Sequence, residues 1–369
     1  MIKTAYDVAG HDAVDSPALV FYTGGILKNI GLCVEMAGGA GRLWPHVKTH
    51  KLAEIVKMKQ NAGISRFKCA TIAEAEMLGQ CGAKHILLAY PAVGPAIGRF
   101  IRLMIKFPGS EWWVTGDDDG ALFELDARAG EAGVRPNVLI DVNVGMDRTG
   151  VLPEDLEAFY LRQAARENIR VRGLHCYDGH IHEADFFVRK RLADAASEKV
   201  FTIRNILLSR GVDCGTVVIG GTPTFPCHAG REGVFCSPGT AFVYDGGYTK
   251  TYADLPFEPA AALLTRVVSR PARGLFTVDL GYKGISADPA GERGYIANLP
   301  GAVSVAQSEE HWVFRYGGPD AAPEVGDVLY VIPTHICPTV ALYREALAVT
   351  DGRVADTWRV TARDRVLTI

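Results

Sequence analysis

The sequence contains no long apolar run and no strong excess of charge of one sign. A helix that crosses a membrane needs about 20 consecutive apolar residues, so the sequence predicts none. The formal net charge is -3 at pH 7, which gives no basic surface for nucleic acid or an anionic membrane. The first residues, 1–7, also lack the apolar core of a secretory signal peptide. We therefore expect no nucleic-acid partner and no membrane partner.

The sequence also lacks a paired cysteine motif. The eight cysteines are scattered, none of them in a C-x-x-C pair, at positions 33, 69, 81, 176, 214, 227, 236 and 337. Several lie in apolar segments, so we expect reduced thiols that mostly pack, in a cytoplasmic protein. With 48% apolar and 22% charged residues, the composition is that of a globular chain with one to three domains.

Short apolar runs alternate with amphipathic stretches over most of the first 250 residues. The pattern predicts helices at 26–36, 72–80, 153–168 and 186–209. It predicts strands at 18–21, 67–70, 86–89, 112–114, 138–142, 171–176 and 217–219. Strands that alternate with helices form a parallel sheet. Seven or eight such units in roughly 230 residues fit a (β/α)8 barrel better than an open sheet, which we assign to residues 18–250.

The pattern changes after Pro256, where short strands follow one another without a long helix between them. The predicted strands are 261–270, 274–282, 303–315, 327–333, 341–349 and 353–361. We therefore expect an α/β protein in which an all-β C-terminal domain follows the barrel. This β domain is assigned residues 251–369 together with residues 1–17.

Lys48 is the strongest functional candidate of the chain. Its neighbours His46, His50 and Lys51 are basic, and such crowding favours a lowered pKa for the amine. A neutral lysine amine can condense with an aldehyde, so Lys48 could hold a carbonyl cofactor as a Schiff base. Apolar residues precede Lys48 and polar residues follow it, which indicates a strand that ends in a loop. Lys51 is the competing candidate.

Four segments together resemble the metal-activated pyridoxal-phosphate enzymes that include D-threonine aldolase and eukaryotic-type D-serine dehydratase. These segments are PHVKTHK at 45–51, GGTP at 220–223, SPGT at 237–240 with YDGGY at 244–248, and PTHICPT at 333–339. The resemblance covers essentially the whole chain. It implies an alanine racemase-like barrel followed by a β domain, with pyridoxal 5'-phosphate bound to Lys48. It also implies a homodimer.

The resemblance extends to the residues that would surround the cofactor. Arg148 would contact its 3-oxygen or the substrate carboxylate, although a surface ion pair with Asp147 is the alternative. Tyr177 would lie against the pyridine ring, with core packing as the alternative. Backbone N–H groups in glycine-rich turns suit a phosphate, and two turns on adjacent strands provide such groups: Gly221, Thr222, Gly239 and Thr240.

Three histidines are candidates for proton transfer. His46 would orient the cofactor or assist proton transfer, or would only make a structural hydrogen bond. His180 and His182 follow the strand that precedes Tyr177. We expect one of them to be a general base, with His180 as the candidate, and the other to be structural.

His335 and Cys337 form the candidate metal site. In an extended segment, side chains two residues apart share a face, so the two would bind one ion together. A thiolate and an imidazole favour zinc, with manganese or magnesium as alternatives. Two protein ligands leave positions open, and an open divalent ion can act as a Lewis acid on the β-hydroxyl of an amino-acid substrate.

The same groups permit two reactions of a D-3-hydroxy amino acid. Loss of the hydroxyl proton breaks the Cα–Cβ bond and releases glycine and an aldehyde. Removal of the α-proton by Lys48 lets hydroxide leave from Cβ, which leads to a keto acid. The first is an aldolase and the second a D-serine or D-3-hydroxyaspartate-type dehydratase.

The flanking sequence favours the aldolase. Residues 279–281, 338–339 and 354–358 resemble the aldolase branch. Cys337 stands where that branch usually has aspartate, and the His-x-Cys form is typical of the dehydratases. An amino-acid racemase and a non-catalytic pyridoxal-binding protein remain further alternatives, although the β domain and the metal pair argue against the latter.

Overall fold

A computed structural model describes residues 2–318, 322–365 and 368, so the ends of the predicted β domain at 1 and 369 lie outside it. The chain divides into two compact units. The first, here the barrel unit, comprises Gly31–Lys48, Ile55–Gly239 and Asp364–Ile369. The second, here the strand unit, comprises Met1–Ile30, Thr49–Glu54 and Thr240–Arg363.

The described residues contain helices and strands in the following order. The helices are α1 (Thr23–Met36), α2 (Ala53–Asn61), α3 (Ile72–Gln80), α4 (Pro95–Lys106), α5 (Asp119–Glu131), α6 (Leu156–Ala164), α7 (Phe186–Ser209), α8 (Phe225–His228), α9 (Gly246–Thr251) and α10 (Ile336–Leu342). The strands are β1 (Ala18–Tyr22), β2 (Arg66–Cys69), β3 (His85–Leu88), β4 (Glu111–Gly116), β5 (Asn137–Asp141), β6 (Arg170–Cys176), β7 (Thr216–Ile219), β8 (Val234–Cys236), β9 (Ala261–Ala272), β10 (Leu275–Val278), β11 (Gly294–Ile296), β12 (Val303–Gln307), β13 (Trp312–Arg315), β14 (Val328–Pro333), β15 (Glu345–Thr350) and β16 (Arg353–Arg359).

The barrel unit is built on seven parallel strands that pair in chain order from β2 to β8. An irregular strand, residues 43–47, closes this sheet. On one side its Trp44 N–H donates to Cys236 O at 2.8 Å. On the other side its Val47 N–H donates to Lys68 O at 2.8 Å. Eight parallel segments therefore surround one interior, which confirms the predicted alanine racemase-like barrel.

Large side chains from several strands fill the interior of the barrel. The buried cluster contains Trp44, Leu87, Trp113, Leu139 and Val218. The rings of Trp44 and Trp113 meet edge to face, with their centroids 5.3 Å apart. Such a layer makes the barrel a packed core and not a pore, so its functional groups lie at the carboxyl ends of the strands.

Side-chain caps fix where several helices of the barrel unit begin. Thr71 accepts a hydrogen bond from the Glu74 N–H at 3.1 Å, and Asp185 accepts one from the Val188 N–H at 2.9 Å. Each bond satisfies a backbone donor that the first helical turn leaves unpaired. These caps explain why the predicted helices 72–80 and 186–209 agree with α3 and α7.

The strand predicted at 18–21 exists as β1, but its predicted place as the first barrel strand is wrong. β1 pairs in parallel with β15 and antiparallel with β9, so it belongs to the sheet of the strand unit. Residues 43–47 take the first place in the barrel instead. The sequence indicated a strand that ends before Lys48, but Pro45 breaks its apolar pattern, so it was not counted among the barrel strands.

The strand unit contains one sheet in which the path β12-β13-β10-β9-β1-β15-β16 is hydrogen-bonded, with β14 paired to β9 and β11 to β14. Buried side chains of β1, β9 and β14 form its core, among them Val20, Leu264 and Ile332. The predicted strand 303–315 is divided into β12 and β13. The predicted strand 341–349 begins later, as β15, because α10 occupies its first residues.

Within the described residues, no helix is both long enough and apolar enough to cross a membrane. All eight cysteines are free thiols, as the sequence predicts. Six of them are buried, and Cys81 and Cys337 are partly exposed.

Gly173 should be indispensable to the barrel sheet. A Cβ on Gly173 would lie 1.7 Å from the carbonyl oxygen of Thr216, across the β6–β7 pair. We expect Gly173→Ala to lower the free energy of unfolding by about 3 kcal/mol, since the backbones must separate. Denaturant unfolding measures the change. Gly215→Ala is the control, because its Cβ would lie 3.8 Å from the nearest atom, and equal midpoints for both variants would contradict the prediction.

Candidate active site

Lys48 lies directly after the irregular strand of the barrel, at the mouth formed by the strand ends. Its side chain is half-buried. The Lys48 N–H donates to Nδ1 of His46 at 3.1 Å, so the buried His46 ring fixes the backbone that carries the amine. This bond is the structural role that the sequence left open for His46.

Three cationic side chains surround the ring of Tyr177, which follows β6. The Lys48 Nζ lies 5.7 Å from the ring centroid, the Lys68 Nζ 5.8 Å, and the Arg148 Cζ 5.0 Å. The predicted residues Lys48, Arg148 and Tyr177 therefore lie together. Three positive charges around one aromatic ring favour an anionic ligand.

Arg148 stacks on Tyr177, and its neighbour Asp147 has a different partner. The Asp147 carboxylate accepts a hydrogen bond from the Asn143 amide at 2.9 Å. Asp147 has a φ of 53°, and this left-handed conformation turns the chain between the two residues. The exposed guanidinium of Arg148 is thus available at the barrel mouth.

Sequence reasoning did not find a chain of polar groups inside the barrel. The Lys68 Nζ lies 3.4 Å from Nε2 of His175, and Nδ1 of His175 lies 2.7 Å from Asp141 Oδ1. The Thr149 hydroxyl donates to Asp141 Oδ2 at 2.7 Å. Lys68, His175 and Asp141 are all buried. In the sequence, the alternation of side chains along β2, β5 and β6 is the only indication that these residues face the interior. No local sequence pattern predicts that the three interact.

Burial sets the protonation of this chain. Burial, reinforced by the charge of Lys48, lowers the pKa of Lys68 to about 7. Burial also lowers the pKa of His175, so its imidazole is neutral near pH 7. Burial alone would raise the pKa of Asp141, but the interaction with His175 and the Thr149 hydrogen bond outweigh it and hold the pKa below its usual value.

The two later histidines differ in their surroundings. His180 is half-buried, and its ring packs on Gly145, where a Cβ would lie 3.0 Å from Nε2. Among the described residues, its buried Nδ1 has no hydrogen-bond partner. His182 is exposed, and its Nδ1 lies 2.7 Å from the carbonyl oxygen of His180. This contact indicates a structural role for His182, so His180 remains the candidate base.

The buried carboxylate of Asp178 stabilises the glycine-rich turn after β7. Asp178 accepts a hydrogen bond from Thr224 at 2.6 Å, and its other oxygen lies 2.8 Å from Nε2 of His228. The Gly221 N–H donates to the Thr224 hydroxyl at 2.9 Å. The N–H that the sequence assigned to a phosphate is therefore satisfied within the protein. Sequence reasoning missed Asp178 and His228, which lie far apart in the chain.

Thr222 and Gly239 meet, as the predicted cup requires. The Gly239 N–H donates to the Thr222 hydroxyl at 3.3 Å, and Thr222 is buried. A Cβ on Gly221 would lie 3.2 Å from the Tyr177 ring, so glycine lets the turn approach that ring closely. The turns after β7 and β8 thus join beside Tyr177.

In the strand unit, His335 and Cys337 interact, but not through an extended segment. His335 is the residue before α10, and Cys337 lies in its first turn. Burial would lower the pKa of His335, but the interactions with Cys337 and Asp288 outweigh it and raise the pKa to about 9. Burial would raise the pKa of Cys337, but the interaction with His335 outweighs it and lowers the pKa. The two side chains therefore interact, whereas the predicted period-two geometry is wrong.

Three further side chains define the surroundings of this pair. The Asp288 carboxylate lies 2.6 Å from Nδ1 of His335 and orients the ring. The hydroxyls of Thr240 and Thr49 lie 3.4 and 3.3 Å from the Cys337 sulfur. The Thr240 side chain, predicted at the phosphate, thus contacts Cys337. Among the described residues, no cluster of three or more His, Cys, Asp or Glu side chains could hold a metal ion.

Lys51, the competing lysine, belongs to the strand unit. It has a φ of 55°, and its carbonyl accepts a hydrogen bond from the Ala362 N–H at 3.2 Å. This backbone anchors the chain after Lys48.

Comparison with known proteins identifies the family of the chain. The alanine racemase N-terminal domain family matches residues 24–244, and a putative serine dehydratase domain family matches residues 260–349. The chain is 30% identical to a D-threonine aldolase from Arthrobacter sp over 95% of its length and 93% of the relative. It is 26% identical to a 3-hydroxy-D-aspartate aldolase from Paracoccus denitrificans (strain Pd 1222), over 98% and 97% of the two chains.

Solved structures agree with this result. The crystal structure of D-threonine aldolase from Filomicrobium marinum aligns with a TM-score of 0.89 and 26% identity, over 98% of this chain and 99% of that one. D-threo-3-hydroxyaspartate dehydratase from Delftia sp. HT23 shares the fold, with a TM-score of 0.84 and 24% identity over 96% and 98% of the chains. The chain therefore belongs to the D-threonine aldolase-like family of pyridoxal-phosphate lyases, which combine an alanine racemase N-terminal domain with a serine dehydratase-like C-terminal domain.

Proposed function

We propose that this protein is a pyridoxal-phosphate- and divalent-metal-dependent aldolase that cleaves D-3-hydroxy amino acids such as D-threonine to glycine and an aldehyde. The observation that carries the proposal is the Lys48 amine at the barrel mouth, 5.7 Å from the Tyr177 ring centroid, in a chain that is 30% identical to a D-threonine aldolase. The substrate partner is thus a small amino acid.

The residues around Lys48 fit pyridoxal 5'-phosphate. Lys48 supplies the primary amine, and Tyr177 supplies a flat surface beside it. Gly221 has no Cβ, and a Cβ there would fill the space next to the Tyr177 ring. Lys48, Lys68 and Arg148 supply positive charge for a phosphate and a 3-oxygen. When bound, the cofactor serves as an electron sink for a bond that breaks at the substrate Cα.

Three candidate side chains of the barrel unit are then assigned roles. Lys48 Nζ would hold the cofactor through its aldehyde carbon. Arg148 offers N–H donors to the substrate carboxylate or the 3-oxygen, in the forked geometry that suits carboxylates. His180, whose buried Nδ1 has no hydrogen-bond partner among the described residues, accepts a proton as the general base.

The turns after β7 and β8 are assigned to the cofactor phosphate. Thr222 and Gly239 interact directly and bring the two turns together. The Gly221 and Gly239 N–H groups donate to Thr224 and Thr222, so the phosphate donors are other groups of these turns. Thr224 is in turn held by Asp178. The role of Gly221 is then to leave space beside the Tyr177 ring, because glycine has no side chain.

His335 and Cys337 are assigned as the metal ligands. Their donor set suits zinc first, then manganese, with magnesium the poorest match for a thiolate. Asp288 orients the His335 ring from outside, as carboxylates commonly do for metal-binding histidines. A divalent ion held by two protein ligands keeps open positions and supplies Lewis acidity toward a substrate hydroxyl.

A D-3-hydroxy-amino-acid dehydratase is the second candidate. The putative serine dehydratase domain match covers residues 260–349, which include His335 and Cys337. The thiol in this pair is the feature that favours this alternative. We further propose a homodimer, which the family resemblance implies, and a cytoplasmic location, for which the eight free cysteines argue.

Replacement of Lys48 tests the attachment of the cofactor. We expect Lys48→Ala to abolish completely the visible absorbance that appears when pyridoxal phosphate binds to the protein, because the Lys48 Nζ is the proposed point of attachment. An absorption spectrum of the purified variant measures this. Lys51→Ala is the matched control and should keep the colour. A coloured Lys48→Ala together with a colourless Lys51→Ala would transfer the role to Lys51.

Removal of the metal tests whether the metal and pyridoxal phosphate bind independently. We expect a chelator to abolish activity while the visible absorbance stays, because the proposed ligands belong to the strand unit and Lys48 to the barrel unit. Added zinc or manganese should restore activity. Cys337→Ser should lower both activity and bound metal, as the hydroxyl is a poorer ligand, and Cys81→Ser is the control. Simultaneous loss of colour and activity would assign the metal a structural role.

Product analysis with D-threonine tests the reaction itself. We expect glycine and acetaldehyde in equal amounts when a divalent metal is present, with both measured by chromatography. A keto acid with ammonia would support the dehydratase. Inversion at Cα would support a racemase. A protein that releases no product and shows no spectral change would be a non-catalytic pyridoxal-binding protein.

A further inference from the structure

The segment YDGGY at 244–248 belongs to the sequence resemblance, but the proposed reaction assigns it no role. It lies in the strand unit, where it contacts residues 334–336. That stretch joins the end of β14 to the start of α10 and contains His335, one of the two proposed metal ligands. The contacts between the two segments therefore determine where the backbone of His335 lies.

The carboxylate of Asp245 joins two helix starts. It is buried, with 2% of the residue exposed. Its Oδ1 accepts the Tyr248 N–H of α9 at 3.0 Å, and its Oδ2 accepts the Ile336 N–H of α10 at 3.2 Å. Each bond satisfies a donor that the first helical turn leaves unpaired. Both oxygens thus hold backbone, and one of them holds the residue directly after His335.

Helix α10 needs this acceptor from outside its own segment. His335 occupies the position before the helix, where a side chain commonly caps, but it makes no such bond. Its ring is used differently, with Nδ1 2.6 Å from the Asp288 carboxylate. A histidine that presents its ring to a metal cannot also cap the helix. Asp245, 91 positions earlier in the chain, provides the cap instead.

Two glycines let the motif approach this stretch closely. The Gly247 N–H donates to the Thr334 carbonyl oxygen at 3.0 Å. A Cβ on Gly247 would lie 2.6 Å from the same oxygen, and a Cβ on Gly246 would lie 3.0 Å from the Tyr295 ring and 3.2 Å from Pro333 O. The absence of a side chain at 247 is therefore a condition for the hydrogen bond to the residue before His335.

Other bonds hold the same backbone from the opposite side. The Thr334 N–H donates to Arg293 O at 2.8 Å, and its hydroxyl donates to Glu292 O at 2.6 Å. The carbonyl of His335 accepts the Thr339 hydroxyl at 2.8 Å. The His335 side chain nevertheless remains 41% exposed. A fixed backbone that carries an accessible ring is the arrangement that a preorganised metal ligand requires.

We propose that Asp245, Gly246 and Gly247 form a clamp on the backbone around His335, which positions its imidazole to bind a divalent metal together with Cys337. The inference rests on the proposed metal ligands. The clamp acts through His335 and not on the ion, so its members are positioning residues. Binding of the ion then requires no ordering of this backbone, which raises the affinity for the metal.

The experiment titrates zinc, in competition with a chromophoric chelator, into full-length protein that carries pyridoxal phosphate and has been freed of metal. We expect Asp245→Asn to bind zinc about tenfold more weakly than wild type, because an amide has one acceptor oxygen for two N–H groups. The visible absorbance should stay unchanged. Asp185→Asn is the matched control, since Asp185 accepts a single N–H at the start of α7 and an amide can keep that bond.

Gly247→Ala tests the clamp through a second contact. Its Cβ must displace the Thr334 carbonyl, so we again expect zinc to bind about tenfold more weakly. Gly291→Ala is the matched control in the strand unit, because a Cβ there would have no atom within 4 Å. If one of the two clamp variants does not fold, the other carries the test.

Gly173→Ala separates positioning from overall stability. It should lower the unfolding midpoint of the metal-free protein, while its folded form should bind zinc as wild type does. Wild-type zinc affinity in the folded clamp variants would overturn the proposal, as would an equal loss of affinity in Gly173→Ala. Failure of D-threonine to yield products would refute the aldolase and leave the zinc affinities valid. A wild-type protein that binds no zinc would overturn both the metal assignment and the clamp.

Discussion

The site depends on the closure of the parallel sheet by residues 43–47. The N–H groups of Trp44 and His46 donate to the β8 side, at 2.8 Å to Cys236 O and 2.9 Å to Pro238 O. On the β2 side, the Pro45 carbonyl accepts from the Lys68 N–H at 2.8 Å. Proline is tolerated in this strand because its position is required only to accept. Both edges of the strand are therefore fixed, and Lys48 leaves it at a defined place.

A second consequence of closure is the charge of the interior. The strand that ends in Lys48 pairs with β2, so Lys68 is brought into the barrel beside it. The two carboxylates nearby are already engaged, Asp141 by His175 and Thr149, and Asp178 by Thr224 and His228. Neither can neutralise the amines fully. The excess of positive charge that remains near Tyr177 suits an anionic cofactor and keeps Lys68 near its neutral state.

Local signals in the sequence predicted the elements better than their pairing. The helices α3 and α7 were predicted from periodicity. Their first residues agree with the structure because Thr71 and Asp185 cap them, and a cap is a property of four neighbouring residues. β1 was predicted as a strand but assigned to the wrong sheet, since periodicity does not specify a partner. The barrel strand at 43–47 was concealed by Pro45, although the end of that strand at Lys48 was anticipated.

The same distinction applies to the site. Lys48 was singled out because it follows apolar residues and lies among basic ones, whereas Arg148 and Tyr177 were assigned through the family resemblance of the residues after their strands. Lys68 and His175 are 107 positions apart in the chain, so only the parallel sheet brings them together. His335 and Cys337 were paired correctly for an incorrect reason, because the backbone turns into α10 between them. Contacts within one turn of helix and contacts across one strand can bring the same two side chains together.

The choice between aldol cleavage and dehydration is a choice of which substrate proton leaves first. In the proposed site, cleavage needs a base for the β-hydroxyl, whereas dehydration needs one for the α-hydrogen. His180 is a candidate base other than the lysines, with its ring on Gly145 and its Nδ1 buried without a partner among the described residues. A base separate from the lysines can accept the hydroxyl proton while Lys48 is displaced, which is the order of events that cleavage requires. If Lys48 were the only base, the same residues would favour loss of the α-hydrogen, so the independence of His180 is the physical argument for an aldolase.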